Sequence, residues 1–182
     1  MACSLTLTGR DLPCRDALGG IERVYIAEWQ ENLWASPGAV TGIISSTSPT
    51  LTVTLQPFAT TKNASSLTQS GTGSVENGTM FYTQTLSLVL PKLTGGDIVN
   101  LQELGYGRLA VVVMDVNGAF WIMGHTRGCE LAGGTVTTGT ATGDLSGMTL
   151  EITAEEATMT PAGNTSAAFV PSISGATFNA FV

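Results

Sequence analysis

The amino-acid sequence predicts an all-β fold, and three of its features indicate this class. Several segments alternate aliphatic and hydroxyl side chains with the period of two that half-buried strands show. Two apolar runs are separated by an Asn-Gly pair, which is the pattern of a β-hairpin. Only one segment has apolar residues at helical spacing. The length of 182 residues and the hydrophobic fraction of 43% fit a single domain, residues 1–182, with a sizeable core.

Three segments predict half-buried strands: residues 50–58, 80–90 and 149–153. In each, apolar residues alternate with polar ones, so one face of the strand is apolar and the other is polar. The residues that would share the apolar faces of the first two segments are Leu51, Val53 and Leu55, and Leu86, Leu88 and Leu90. Strands of this kind suggest an antiparallel sheet with one covered face.

A β-hairpin is predicted from the runs 109–116 and 119–124, which flank Asn117-Gly118. An Asn-Gly pair best tolerates the two positive φ angles of a type I′ turn. The β-branched run Val111–Val113 predicts a strand at the centre of the sheet, covered on both faces.

One short helix is predicted after Gly96. Ile98, Leu101 and Leu104 are spaced for one side of a helix, and two glycines follow within three residues. Asp97 is the predicted N-cap, because its carboxylate can accept hydrogen bonds from the first unpaired amides.

Two long stretches contain few large apolar residues. Residues 60–79 are rich in Ser, Thr, Gly and Asn, which predicts a polar loop or arm. Residues 158–182 combine small residues with Pro and Gly and end in Phe-Asn-Ala-Phe-Val. We expect this C-terminal segment to be extended and to dock on its own core or on a neighbour. Loops of such length inside compact domains tend to be functional or disordered.

Charged residues make up only 12% of the chain, about half the usual share of a soluble domain. This composition favours a surface that is partly covered by other subunits, because interface cores are depleted in charge. Seven Lys and Arg stand against fourteen Asp and Glu, which gives a formal net charge of -7. Tight binding of nucleic acid needs cations that neutralise phosphates, so the composition argues against it.

Candidate catalytic residues are few, and we predict no catalytic site. The single histidine, His125, has no nucleophile-elbow pattern around it, and Cys129 follows it by four residues. Glu155 and Glu156 are adjacent, so on a strand their side chains point to opposite faces. The remaining carboxylates show no spacing that places a general acid opposite a base or nucleophile: Asp115, Asp144 and Glu151.

No metal or cofactor site is predicted either. One histidine cannot build a typical transition-metal site, and the acidic residues are not at EF-hand spacing. The glycines between residues 133 and 147 lack a phosphate-loop lysine and favour tight turns or close strand approach. Trp29 and Trp34 form the only close tryptophan pair, which we assign to a core or an interface. The sequence shows neither the pattern of a secretory signal nor an apolar run of bilayer length. We therefore expect a cytoplasmic product with reduced cysteines.

Several short motifs follow one another along the chain, at residues 1–6, 9–16 (Gly-Arg-Asp-Leu-Pro-Cys-Arg-Asp), 19–21, 73–79, 82–86, 108–124, 131–134, 139–140, 143–147 and 155–156. Their order resembles that of phage tail tube proteins, which are also called major tail proteins. Together the motifs span most of the chain, except residues 30–48 and the C-terminal segment. Each motif alone has low specificity, and their order is the stronger signal.

The resemblance implies a β-sandwich or rolled β-barrel with one flanking helix, assembled into stacked hexameric rings. In that family the inner sheets of the subunits close into one barrel around a DNA channel, and long arms reach between subunits and rings. The implied role is a virion tail tube that conducts DNA without binding it tightly. Its partners would be copies of itself and other tail proteins. Residues 60–79 would form the arm or inter-ring loop, and acidic side chains would line the channel and repel DNA.

Other functions fit the composition as well. A capsid decoration protein or a tail terminator would form a trimer or a single ring instead of filaments. A soluble β-sandwich carbohydrate binder would be a monomer with exposed tryptophans among Trp29, Trp34 and Trp121. A hydrolase that uses His125 with Cys129 is the enzyme alternative.

Overall fold

The computed structural model describes residues 17–31, 33, 43–44, 53–92, 95–159, 162–163 and 176–178. Within these ranges the chain forms eleven strands and one helix. In chain order the strands are β1 (Ile21–Glu28), β2 (Ile43–Ile44), β3 (Val53–Ala59), β4 (Ser66–Ser74), β5 (Thr79–Pro91), β6 (Leu109–Asp115), β7 (Phe120–Met123), β8 (Glu130–Thr137), β9 (Gly147–Glu156), β10 (Ala162–Gly163) and β11 (Ala176–Phe178). The helix α1 (Gly95–Leu104) lies between β5 and β6.

The strands form two sheets that pack face to face. The first sheet has seven strands in the order β11-β3-β1-β6-β7-β10-β2, and the second has four in the order β4-β5-β9-β8. Neighbouring strands are antiparallel except in two short pairs, β10 with β2 and β11 with β3. The predicted all-β class with one short helix is confirmed. Of the two predicted forms the chain adopts the β-sandwich, and its described strands do not close into a barrel.

The alternation of side chains along β5 and β9 creates the core between the sheets. Leu86 and Leu88 lie opposite Ile152 and Leu150, and all four side chains are fully buried. They pack against buried residues of the first sheet, which are Ile21, Val24, Ile26, Val111, Val113 and Met123. The predicted apolar faces of residues 80–90 and 149–153 are therefore confirmed.

The first sheet is buried on both of its faces along β6. Val111 and Val113 face the four-stranded sheet, whereas Val112 belongs to a second apolar cluster on the opposite face. The other members of this second cluster are Tyr25, Ala27, Leu33, Leu55, Ala110, Phe120 and Ile122. All three valines are at most 1% exposed, so the prediction of a central strand covered on both faces is confirmed.

The hairpin of β6 and β7 is present, but its turn is not the predicted type I′. Only Gly118 has a positive φ, at 80°, whereas a type I′ turn also needs one at Asn117. The Gly118 N–H donates to the Asp115 carbonyl at 3.0 Å, and the Asp115 N–H donates to the Ala119 carbonyl at 2.9 Å. These bonds define a three-residue loop with a glycine bulge. The Asp115 carboxylate favours it by accepting the Ala119 N–H at 2.8 Å.

The predicted helix is confirmed, although it begins at Gly95, before its predicted N-cap. Asp97 therefore lies inside the first turn of the helix, and the assignment of Asp97 as the N-cap is wrong. The helix ends in a tightened turn, because the N–H groups of Gly105 and Tyr106 donate to carbonyls three residues back.

The structure changes the interpretation of the two long polar stretches. The prediction of a loop over residues 60–79 is wrong for Ser66–Ser74, which forms β4 and pairs with β5 along its whole length. The sequence pattern did not indicate this strand, because β4 consists mostly of small polar residues and has few aliphatic side chains that would mark an apolar face. In the C-terminal segment β10 pairs with β7 and β2, and β11 pairs with β3. The rest of that segment beyond residue 159 lies outside the described residues.

Replacing Leu150 by Ala tests the packing between the sheets. Its side chain is fully buried between the two layers, so the substitution should lower the free energy of unfolding by about 2–5 kcal/mol. The matched control is Thr149→Ala on the other face of β9, which should cost less than about 1 kcal/mol. Urea unfolding followed by circular dichroism measures both, and equal losses would contradict the assigned faces.

Candidate assembly surfaces

The four-stranded sheet has two long open edges. Within the described residues β4, a strand of nine residues, pairs only with β5, and β8, a strand of eight residues, pairs only with β9. The first sheet, in contrast, ends in β11 and β2, which have three and two residues. Unpaired edges invite further pairing, and natural monomers usually protect them with Lys, Pro or very short edge strands. Neither β4 nor β8 contains Lys or Pro, although β8 has an irregularity between Leu131 and Gly133.

The outer face of the four-stranded sheet is covered with hydroxyl and carboxylate groups. Because the aliphatic residues of β5 and β9 point into the core, their alternate neighbours point outward. One row across the sheet is Thr68, Thr85, Thr153 and Glu130, and the flanking rows contain Ser66, Ser87 and Glu151, and Ser70, Thr83 and Glu155. The four strands contain no Lys or Arg. This face therefore has three exposed carboxylates and no cation of its own.

A cation stands at the edge of this face. The Arg108 guanidinium lies 4.0 Å from the Glu130 carboxylate, and the two side chains are 58% and 74% exposed. Arg108 also lies over the Trp29 ring, 5.7 Å from its centroid. A pair this exposed and this long contributes little to stability, and it leaves Glu151 and Glu155 without a cation beside them in the sheet.

The hairpin of β4 and β5 forms an arm that extends past the sheet. The two strands stay paired as far as Ser74 and Thr79, whereas β9 ends at Glu156, opposite Tyr82. Residues 72–81 therefore project beyond the third strand. The exposed apolar residues of this arm are Val75 at 100%, Met80 at 55% and Phe81 at 38% exposure.

Two glycines in β4 shape the inward side of the arm. Gly71 lies opposite Tyr82, and Gly73 lies opposite Met80. A Cβ atom added at Gly71 would lie 3.0 Å from the Tyr82 ring, and one at Gly73 would lie 3.0 Å from the Met80 sulfur. Because these two glycines have no side chains, the side chains of Tyr82 and Met80 can lie across β4.

A groove of about 1080 Å³ opens at the other end of the four-stranded sheet. The end of β5, the start of β9, the end of β3 and the end of α1 surround it. Its apolar lining includes Pro57, Phe58, Leu90, Leu104 and Met148. The charged residues on its walls are Glu28, Lys92, Glu103 and Arg108, all exposed. The arm and this groove therefore lie at opposite ends of β5.

A buried carboxylate ties the two sheets together near the base of the arm. Glu156 of β9 is 2% exposed, and its Oε1 accepts the N–H groups of Thr126 and Arg127 at 2.9 and 2.8 Å. Gln84 of β5 is fully buried, and its Oε1 accepts the Gly124 N–H at 3.1 Å. Both side chains belong to the second sheet and hold the loop that leaves β7 of the first. The alternation along β9 places Glu156 on the same face as Ile152, and this could be read from the sequence. The burial of the Glu156 carboxylate was not predicted.

The loop after β7 also contains the residues of the enzyme alternative. Cys129 is fully buried, and its burial, together with the Glu156 carboxylate, raises the pKa of the thiol far above its ordinary value. The nucleophilic form of cysteine is the thiolate, so this environment opposes reactivity. His125 Nε2 lies 3.0 Å from the Thr126 hydroxyl, and among the described residues no hydrogen bond joins the imidazole to the Cys129 thiol. Glu155 is exposed and Glu156 is buried, which confirms that they point to opposite faces.

Two of the remaining carboxylates singled out in the sequence, Asp115 and Asp144, build turns, whereas Glu151 lies on the outer face of β9. Asp115 closes the β6–β7 hairpin, as described above. Asp144 accepts the N–H groups of Thr140 and Ala141 at 2.9 and 2.7 Å, and these bonds lower the pKa of its exposed carboxyl. The tight turn expected of the nearby glycines is found at Gly139, with a φ of 74°, and close strand approach is found at Gly147, which packs on β5.

The tryptophans do not form an exposed platform in the described part of the chain. Trp29 and Trp121 are half-buried and pack against the two apolar clusters, while Trp34 lies outside the described residues. The described ranges contain no cluster of three His, Cys, Asp or Glu residues placed to hold a metal ion. None of their helices combines the length and apolarity needed to cross a membrane.

Comparison with known proteins gives no relative for this chain. No protein-family model matches the sequence, and neither a curated protein nor a solved structure matches it. Function is therefore inferred from the chemistry of the two open edges, the polar face, the arm and the groove.

Replacing Glu156 by Ala tests the tie between the sheets. The change leaves the part-buried N–H groups of Thr126 and Arg127 without their carboxylate acceptor, so the free energy of unfolding should fall by about 2–3 kcal/mol. Glu155→Ala removes the same group from the exposed neighbour and should cost less than about 0.5 kcal/mol. Chemical denaturation at pH 7 measures both variants. A Glu156→Ala protein as stable as Glu155→Ala would refute the structural role.

Proposed function

We propose that this chain is the tube subunit of a phage tail, which assembles through its own copies into stacked rings around a DNA channel. The observation that carries the proposal is the four-stranded sheet, which combines two long open edges with a polar, anionic face that lacks cations. The motif order described for the sequence supports the same function and suggests six copies in each ring.

The open edges supply the contact within a ring. In the proposed ring β4 of one copy pairs with β8 of the next, so the four-stranded sheets join into one closed barrel. Such a contact joins two different surfaces, and it closes when the rotation between copies divides a full turn. Closure removes every edge of this sheet, which accounts for edge strands that carry neither Lys nor Pro.

The polar face supplies the wall of the channel. Its hydroxyl groups are hydrated, and the carboxylates of Glu130, Glu151 and Glu155 give it a negative charge. Binding of DNA is driven by cations that displace counterions from the phosphates, and this face offers none. Its carboxylates repel the duplex over roughly a Debye length, about 10 Å at 0.1 M salt. A duplex can therefore slide past this wall without being held.

The arm and the groove supply the contact between rings. Because they lie at opposite ends of β5, a tip seated in the groove of a second copy makes a head-to-tail contact that repeats along an axis. The tip brings apolar Val75 to an apolar lining, and Met80 and Phe81 add exposed apolar surface along the rest of the arm. It also brings Glu76 toward walls that contain Lys92 and Arg108 beside two carboxylates. Burial of exposed apolar side chains drives such a contact.

The alternatives differ in what these surfaces would do. A capsid decoration protein or another single-ring virion protein uses the open edges but leaves the arm and the groove without a partner. A carbohydrate-binding module needs an aromatic platform, and the described tryptophans are half-buried. The stacking of rings therefore separates the tube from its nearest rival.

The first test is assembly in solution, observed by negative-stain electron microscopy of the purified protein. We expect hollow filaments with a regular ring repeat. Val136→Lys should abolish them, because Val136 lies on the β8 edge, is 49% exposed and would be covered by the next copy. Leu145→Lys makes the same change in the loop after β8, where the side chain is 39% exposed, and should still assemble. Wild-type protein that stays monomeric at high concentration would overturn the proposal.

The second test concerns the wall of the channel. The double variant Glu151→Lys and Glu155→Lys places cations on the polar face, so its filaments should retain duplex DNA at least about tenfold more tightly than wild type. Retention should weaken with salt, and the logarithm of the binding constant plotted against the logarithm of the salt concentration should have a slope of roughly -0.9 for each phosphate contacted. The variant Glu22→Lys and Glu31→Lys changes the charge equally on exposed residues outside this sheet and should retain no more than wild type. Equal retention by both variants would show that the polar face does not line the channel.

A further inference from the structure

Two Asn-Gly pairs lie in hairpin turns of the described chain, Asn77-Gly78 at the tip of the arm and Asn117-Gly118 between β6 and β7. Asparagine is thermolabile, and it is most so before glycine, which leaves the backbone unhindered. The glycine nitrogen attacks the side-chain carbonyl carbon, the bond from that carbon to Nδ2 breaks, and ammonia leaves with the glycine N–H proton. Water then opens the cyclic imide at either carbonyl and gives aspartate or isoaspartate.

Both reacting groups are held at Asn117. Its Oδ1 accepts the Leu18 N–H at 2.9 Å, and its Nδ2 donates to the Leu18 carbonyl at 2.7 Å. The nucleophile is held as well, because the Gly118 N–H donates to the Asp115 carbonyl at 3.0 Å. The reaction therefore requires this turn to open first, which makes it slower by the equilibrium constant for local opening.

Neither reacting group is held at Asn77. Residues 75–78 are all exposed, and the described contacts include no hydrogen bond to the Asn77 side chain or to the Gly78 N–H. Among the described residues this asparagine forms a hydrogen bond only through its backbone N–H, which donates to the Ser74 hydroxyl at 3.3 Å. Gly78 has a φ of 62° and open space around its Cα atom. The side chain and the following nitrogen are thus free to meet.

We infer that Asn77 is a site of spontaneous deamidation in the folded protein, while Asn117 is protected by its clamp on Leu18. The reaction replaces a neutral amide by a carboxylate beside Glu76, so the arm tip gains a second negative charge. The effect of this charge on assembly rests on the proposed function, since it depends on the tip being a contact. The chemistry at Asn77 does not depend on that function.

The experiment is incubation of the folded full-length protein at pH 8 to 9, followed by proteolysis and mass spectrometry of the two peptides. We expect the Asn77 peptide to acquire the mass of the acid, and the aspartate and isoaspartate forms, at least about tenfold faster than the Asn117 peptide. In denaturant the two rates should converge, because the clamp is lost. Asn77→Gln should abolish the fast reaction and leave the Asn117 rate unchanged.

Equal rates at the two sites in the folded protein, or a faster reaction at Asn117, would overturn the inference. An Asn77→Asp variant separates the chemistry from its consequence. If this variant assembles as wild type does while Asn77 deamidates rapidly, the modification site stands and the tip is not a charge-sensitive contact. If wild-type protein never assembles, the proposed function fails and the rate comparison is unaffected.

Discussion

The packing of aliphatic side chains from β5 and β9 against those of β1 and β6 is the interaction on which the other features depend. Side chains alternate strictly along a strand, so burying Leu86, Leu88, Leu150 and Ile152 sends the intervening Thr, Ser and Glu residues to the opposite face. A slip of one residue would exchange the two faces and bury the carboxylates. The core therefore fixes the chemistry of the outer surface, and the anionic face needs no separate explanation.

The two sheets have different environments, and in the proposed ring this difference decides where other copies bind. The first sheet is covered on both faces along β6, and short strands end it on both sides. The second sheet shares only its inner face with the core, and its long edges and outer face remain exposed. The low charge of the whole chain fits this division, because an edge that pairs with another copy gains nothing from charged side chains.

How far the fold could be predicted depended on how strongly each segment was marked by apolar residues. The faces of residues 80–90, the central position of Val112 and the helix near Leu104 followed from apolar spacing and are confirmed. β4 was missed, because a strand of Ser, Thr and Gly carries no apolar period, and only pairing with β5 reveals it. The predicted type of the turn at Gly118 was wrong, because the hydrogen bonds of Asp115 that select the observed turn cannot be read from the Asn-Gly pair alone. The alternation of β9 places the polar face on one side of the strand and Glu156 on the other. Which side is buried could not be predicted from β9 alone, because it depends on the position of the first sheet.

The unbroken course of β5 has a mechanical consequence. This strand of thirteen residues runs from the groove at one end of the sheet to the base of the arm at the other. Its ladders to β4 and β9 lie perpendicular to the strand direction. A pull on the tip along the strand moves β4 and β5 together, so it would load the whole ladder from β5 to β9 at once, in shear, instead of opening its hydrogen bonds one after another. A subunit built in this way resists stretching along one direction much more than peeling across it.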